Sequence, residues 1–350
     1  MGPLDKLAPW PTPNDPSCPL HVNKDFLVSL VTDTRPLCAQ LDQEVAKYRA
    51  ATFADTTKRT YASHLASYYS FCRDIHIAPV PVSEKHLAMY AAYLARRLRP
   101  ATIKQYLNVV RLLHVECGAD NPVKDNWYLK STLTGIGRVK GSVVNRKTPM
   151  TPETLLSIKR TLQLSTAEDC IFWAACLTMF FGLFRKSNLF PGPDGFDPKK
   201  QFIRHAFRLR ADKALSIKVT WSKTIQFNDR EYQVTLPVIH PHPLCPVEAI
   251  CNAFKITSTL PPTAPAFPLS GRCFDQKLKT AVRDLPGRIS SHSFRRGGAT
   301  HALAAGLPGE IVKILGDWKS SAYLTYLDQM PNQVLDFYRV KFAQALPNND

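Results

Sequence analysis

Acidic residues are the scarce component of this sequence, with 28 Asp and Glu against 45 Lys and Arg. No spaced set of three carboxylates stands out, which disfavours a metal-dependent transposase chemistry. Long apolar runs are also missing. No stretch of eighteen apolar residues exists and the N-terminus lacks a signal-peptide core, so the chain is expected to be soluble, off the membrane and inside the cell. Cys-x-x-Cys does not occur, and the nine cysteines are an odd number scattered through apolar segments. That pattern predicts reduced thiols rather than a disulfide framework. His240, His242 and Cys245 in HPHPLCP are the only cluster hinting at metal. Interleaved prolines and the following PVEAI read instead as a turn into a helix.

What is present is positive charge. The formal charge of +17 and a pI near 9.5 favour a polyanionic partner, because each neutralised phosphate releases counterions. A hydrophobic fraction of 45% is that of a globular chain, and 350 residues suffice for two domains.

Residues 1–22 are rich in proline and predicted to be an extended or disordered tail. Residues 23–137 read as a helical bundle. A first helix over 24–50 is expected to be interrupted around Asp33–Pro36. Asp55-Thr56-Thr57 opens the next, with Tyr61, Leu65, Tyr68 and Tyr69 at helical spacing. Ser83-Glu84 and Pro100 start two more, and a shorter one spans Trp127 to Leu133. The tyrosine stripe reads as core. Thr57, Lys58, Arg59, Arg97, Arg99 and Lys104 gather at helix ends, where phosphates bind well, and are candidate DNA contacts. Residues 138–150, with Arg146 and Lys147, carry four basic residues and no acid, and read as a basic linker that also contacts DNA.

Residues 151–330 form a second, mixed α+β domain. Thr151-Pro152-Glu153 starts a helix. IFWAACLTMFFGLFRKSNL (171–189) is predicted as one apolar helix with Arg185 near its end. ALSIKVTWSKTIQF and REYQVTLPV alternate as two antiparallel strands of a hairpin, with Lys223 at the first strand's end or in the turn. The stretch 291–326, SHSFRRGGATHALAAGLPGEIVKILGDWKSSAYLTY, places His292 and Arg295 on one helical face, followed by an apolar helical run, Trp318, Tyr323 and Tyr326. Arginine offers a forked donor set that matches a phosphate, and a tyrosine hydroxyl is a possible nucleophile.

His-x-x-Arg, then Leu-Gly-x-Trp, then a tyrosine after the next turn resembles the C-terminal signature of the tyrosine recombinases, the phage integrase superfamily. The wording after the glycine is most similar to the eukaryotic mobile-element branch of the Crypton and DIRS type. The resemblance implies a mainly α protein: an N-terminal SAM-like core-binding domain and a catalytic domain with a small antiparallel sheet. It implies that Arg185 (in Gly-Leu-Phe-Arg-Lys-Ser-Asn), His292, Arg295 and Trp318 bind the scissile phosphate, Lys223 is the general acid and Tyr326 the nucleophile. Lys218 and Lys213 are fallbacks for the lysine, and Tyr323 for the phenol. It further implies double-stranded DNA as partner, a homotetramer on DNA, no cofactor or metal, and a nuclear location in a eukaryote. Residues 331–350, with Val334, Leu335, Tyr338, Phe342 and Leu346 on one face, would be a terminal helix exchanged between protomers. Two departures stand out. Asn188 replaces an acid three residues after Arg185, where it is expected to accept from the guanidinium. Asp317 lies nine residues before Tyr326, where it is expected to point away while Trp318 donates its indole N–H. The alternatives are an inactive domesticated DNA-binding protein and a type IB topoisomerase.

Overall fold

The structure, a computed structural model, describes residues 34–141, 147–192, 195–222, 225, 230–320 and 323–324. The 1–22 tail, Arg146, Lys223, Tyr326 and the terminal segment 331–350 lie outside the described residues. The chain divides into two compact units at 144/145.

The first unit is all helical: α1 (Thr34–Ala50), α2 (Asp55–Asp74), α3 (Glu84–Ala95), α4 (Pro100–Glu116) and α5 (Trp127–Lys140). Of the helix expected over 24–50, α1 covers the part from Thr34, and residues 24–33 lie outside the described residues. Pro36 falls in the first turn, where an N–H has no intrahelical partner to lose. Ser83 caps α3 by accepting from the His86 N–H at 3.2 Å, and Pro100 opens α4. Leu87, Tyr90, Ala91 and Leu94 of α3 are buried. Of the tyrosine stripe only Tyr68 is core, Tyr61 being half-buried and Tyr69 exposed; the Tyr68 and Phe71 rings pack on Tyr90 with centroids 5.1 and 5.0 Å apart. His114 is buried too. Its Nε2 accepts from the Val82 N–H and its Nδ1 bonds Val110 O, so it serves as an internal strut. Contrary to expectation, α5 runs on through Gly135 and Gly137 to Lys140. Ile136 packs on the bundle core, and that contact outweighs the helix cost of two glycines, about 1 kcal/mol each.

The second unit is built on α7. Thr151 accepts from the Thr154 N–H to start α6 (Pro152–Arg160), and α7 (Ala167–Phe181) follows, buried without a break from Cys170 to Phe180. A helix apolar all round must sit inside a domain, and here the later helices α9 (Pro246–Ile256) and α11 (Ser291–Ala304) pack against it. The single helix predicted over 171–189 is two. Gly182 caps α7, Leu183 takes left-handed backbone (φ 52), and Arg185 precedes a new short helix, α8 (Lys186–Leu189). The hairpin gains a third strand: β1 (Phe207–Leu209), β2 (Leu215–Val219) and β3 (Tyr232–Leu236) form an antiparallel sheet in that order, with Ile217 opposite both Phe207 and Val234. HPHPLCP is a turn, in which His242 Nδ1 accepts from the Leu244 N–H before Pro246 opens α9. After α10 (Gly271–Ala281), the run from Ala302 to Leu315 divides between α11 and α12 (Gly309–Leu315) at Gly306, whose φ is 85°.

Candidate active site

Two glycines seat α11. A Cβ on Gly297 would collide with the Met150 backbone, and one on Gly298 with the Phe180 carbonyl at the end of α7. Met150 N–H donates to Ser293 O at 2.9 Å, and Arg296 Nη1 donates to Lys147 O at 2.6 Å. Segment 147–150 is thus laced to α11. Lys147 engages through its carbonyl, and Arg296 acts as a strut.

Arg295, one residue earlier, points the other way. It is 3% exposed, and its two terminal nitrogens donate to Leu183 O and Gly316 O. Its guanidinium lies over the Trp318 ring, 4.1 Å from the centroid. Trp318 in turn packs on Gly316, where a Cβ would run into the indole. Backbone carbonyls and an aromatic face thus surround the guanidinium.

Arg185 is tied to the same place by Asn188. The Asn188 side chain accepts from the Arg185 backbone N–H at 3.2 Å and donates to Trp221 O at 3.1 Å. The expectation that Asn188 would support the guanidinium is corrected: it fixes the arginine's backbone and pins it to the end of the sheet. Asp317 is corrected as well. It does not turn out to solvent but is 5% exposed, accepting from Ser222 Oγ and pairing with Arg230.

These tethers close into a circuit. Leu183 is joined to Gly316 through Arg295, Asp317 to Ser222 through the hydroxyl, and Trp221 back to Asn188. Residues distant in sequence are so gathered at one place: 183–188, 221–222 with 230–232, 292–295 and 316–318. Lys223 lies outside the described residues, but its neighbour Ser222 is a member of the circuit.

The charges inside the circuit act on each other. His292 is held below its ordinary value of 6.5 by partial burial, then by Arg295, Arg185 and Arg296. Tyr232, half-buried on β3, is pushed up to about 12 by burial and Asp317, against the opposing pull of Arg295, Arg185 and Arg230. Its phenol stays protonated at neutral pH and is a hydrogen-bond donor among three guanidiniums. Arg230 and Tyr232 are site residues that the sequence reading missed. The one available signal was their place at the start of the strand after Lys223.

The two tyrosines differ. Tyr323 is 8% exposed, packed with Leu183, Ala299, Val312 and Trp318 and set against Gly309. Tyr326 lies outside the described residues.

In the first unit, Lys58, Arg59, Arg97, Arg99 and Lys104 are exposed and Thr57 is half-buried. Lys58 pairs with Asp55 at 3.6 Å, and Arg97 stacks on Tyr93 while donating to its hydroxyl at 3.3 Å. Arg97, Arg99 and Lys104 cluster at the α3–α4 junction. The His64–Tyr106 stack sets α2 beside α4, and Arg49 of α1 pairs with Glu116 at the end of α4.

A family model described as the phage integrase N-terminal SAM-like domain matches residues 41–118. Among solved structures, the chain is similar to the XerH site-specific recombinase bound to palindromic difH substrate, at 15% identity and a TM-score of 0.58, over 91% of this chain and 88% of that one. It is similar to lambda integrase (residues 75–356) bound to a COC′ core site, at 17% identity and a TM-score of 0.55, over 84% of this chain and 96% of that one. The Tn1549 transposon integrase in complex with transposon right end DNA follows, at 13% identity and a TM-score of 0.54, over 87% and 98%. Comparison with curated proteins gave no match. Residues 41–118 thus match a phage integrase N-terminal SAM-like domain, and the chain shares the fold of the lambda integrase and XerH recombinase structures.

Proposed function

We propose that this protein is a DNA strand transferase that cuts and rejoins duplex DNA through a 3′-phosphotyrosine intermediate. The observation that carries this reading is the circuit of tethers that brings Arg185, His292 and Arg295 within electrostatic reach of one another. Such a site is suited to a phosphodiester, whose transition state carries more negative charge on its non-bridging oxygens than the ground state does. Arg185 and Arg295 supply that stabilisation. His292, neutral in the free protein because its pKa is lowered, contributes a ring N–H or takes up a proton when the phosphate arrives.

Tyr326 is the attacking phenol in this scheme. Its oxygen gives up the phenol proton to a base, for which the neutral His292 ring is available, and bonds to phosphorus as the bond to the 5′-oxygen breaks, while Lys223 gives its proton to that leaving oxygen. Ligation reverses the sequence with a 5′-hydroxyl from a partner strand. Tyr323 is poorly placed for the role, since its ring is part of a packed cluster. The departures at Asn188 and Asp317 are not erosion, because both side chains are committed to the circuit. Lys58, Arg59, Arg97, Arg99 and Lys104, with Arg146 and Lys147, would contact backbone phosphates. A homotetramer on DNA, with 331–350 exchanged between protomers, and a nuclear role in a Crypton- or DIRS-type element complete the reading.

A library of nicked duplexes with randomised sequence tests it. Cleavage beside a nick lets the short 5′-hydroxyl fragment diffuse away, so an active protein leaves a covalent adduct that survives denaturing electrophoresis. Wild type should yield adducts and Arg185→Ala should not, while still binding DNA. Tight binding by wild type with no adduct would refute the enzyme reading.

A further inference from the structure

Ser222 and Arg230 bracket the connection between β2 and β3, and both end on one carboxylate. That carboxylate is Asp317, which follows Gly316 at the end of α12 in left-handed backbone, φ 50. Aspartate tolerates this conformation better than most residues. An unpaired buried carboxylate is costly, but each oxygen here has a donor from the sheet: Ser222 Oγ on Oδ2 and Arg230 on Oδ1. The ion pair is lopsided, since the Asp317 side chain is 3% exposed and that of Arg230 is 47% exposed. The buried partner anchors and the half-exposed partner is presented. Arg230 is held by Asp317, and Arg295 by Asp317's two neighbours, Gly316 through its carbonyl and Trp318 through its ring, so both guanidiniums gather on the stretch 316–318.

The geometry points to Asp317 as a positioning residue that clamps both ends of the β2–β3 connection to the end of α12, and to Arg230 as a third guanidinium of the phosphate site. The identity of the bound group rests on the strand-transfer reading; the clamp itself does not. A clamp and a bare charge predict opposite results. If Asp317 acted only as a negative charge beside an anion site, neutralising it would tighten DNA binding and speed cleavage. As a clamp, its loss leaves affinity unchanged or tighter while the chemical step slows, because Arg230 and the sheet end are no longer held.

The test compares full-length wild type, Asp317→Asn, Arg230→Gln and the double variant. Hydrogen exchange without DNA reads the clamp directly. Asp317→Asn should speed exchange in β2 and β3 at least tenfold while leaving α10 unchanged. On a duplex selected from the nicked library, the single-turnover rate of adduct formation at saturating DNA should fall at least tenfold in Asp317→Asn, with Kd equal or lower. Arg230→Gln should lose a similar factor, and the double variant should be no slower than the slower single. Unchanged exchange in β2 and β3 overturns the clamp, as does a rate equal to or faster than wild type. Losses that multiply in the double variant overturn action through Arg230. If wild type forms no adduct the strand-transfer reading fails by itself, and the exchange measurement still decides the clamp.

Discussion

Arg295 joins Leu183 to Gly316, and its removal should be felt in stability before any DNA is added. Arg295→Met keeps comparable bulk but strips the charged donors from Leu183 O and Gly316 O and the cation from the Trp318 face. Hydrogen bonds to charged groups are worth roughly 1.5–3 kcal/mol each, so two give about 3–6 kcal/mol. A desolvated cation–π contact adds about 2 kcal/mol. Against this, the variant no longer buries a guanidinium, and that effective penalty is several kcal/mol. The net expectation is a loss of roughly 3 kcal/mol, in line with removal of one partner from a buried charged pair. For a unit of this size each kcal/mol moves the midpoint by about 2–4 °C, so thermal unfolding of the full chain should show one transition falling by roughly 6–12 °C. The transition of the first unit should stay where it is. Arg295→Lys, which keeps the charge but reaches only one carbonyl, should fall in between. A Met variant that melts with wild type would show that the circuit does not hold the site together, and the account of its pre-organisation would be wrong.

Five further outcomes are expected. His292 has a lowered folded pKa, so the unfolded chain takes up its proton first. Stability should fall as pH drops below about 6.5 toward the folded value, and His292→Gln should flatten that limb of a urea-midpoint series. By the same sign, a phosphate raises the His292 pKa, and calorimetry in two buffers near pH 6.5 should record proton uptake on DNA binding that is lost in His292→Gln. Gly297→Ala should cost several kcal/mol, of the order of a severe overpacking, because the Met150 backbone cannot rotate away. Gly135→Ala and Gly137→Ala, in α5 with open space around them, should each gain about 0.5–1 kcal/mol in thermal melts. Tyr323→Phe should retain adduct formation and Tyr326→Phe abolish it; peptide mapping of the trapped DNA that found it on Tyr323 would reverse the assignment.

Local chemistry was the legible part of this fold. Ser83, Pro100 and Thr151-Pro152 announce helix starts because capping is settled within four residues, and α2 and α3 show their buried faces in their spacing. His292 and Arg295 could be placed together for the same reason. The break after Phe181 was not legible, since a glycine in an apolar run is equally compatible with continuing a helix and with ending one. What ends it is Leu183 offering its carbonyl to an arginine 112 residues away. Asn188 was read for its charge deficit, although its role depends on Trp221, 33 residues on. Asp317 and Arg230 escaped for the same reason: Asp317 lies 95 residues from Ser222 and 87 from Arg230, and no periodicity encodes such a pairing. The third strand is three residues long, too short to alternate visibly.

The central claim is that Arg185 and Arg295 act on the negative charge of a single phosphate, and a neutral linkage tests it most directly. Adduct formation can be timed for wild type and Arg185→Ala on a selected nicked duplex carrying a phosphodiester or a methylphosphonate at the scissile position. On the phosphodiester the alanine variant should be slower by about 10²–10³, the scale for losing one transition-state donor. On the methylphosphonate, which has shed the charge the guanidinium serves, that gap should shrink by at least tenfold. An equal gap on both linkages would mean that Arg185 does something other than hold the phosphate.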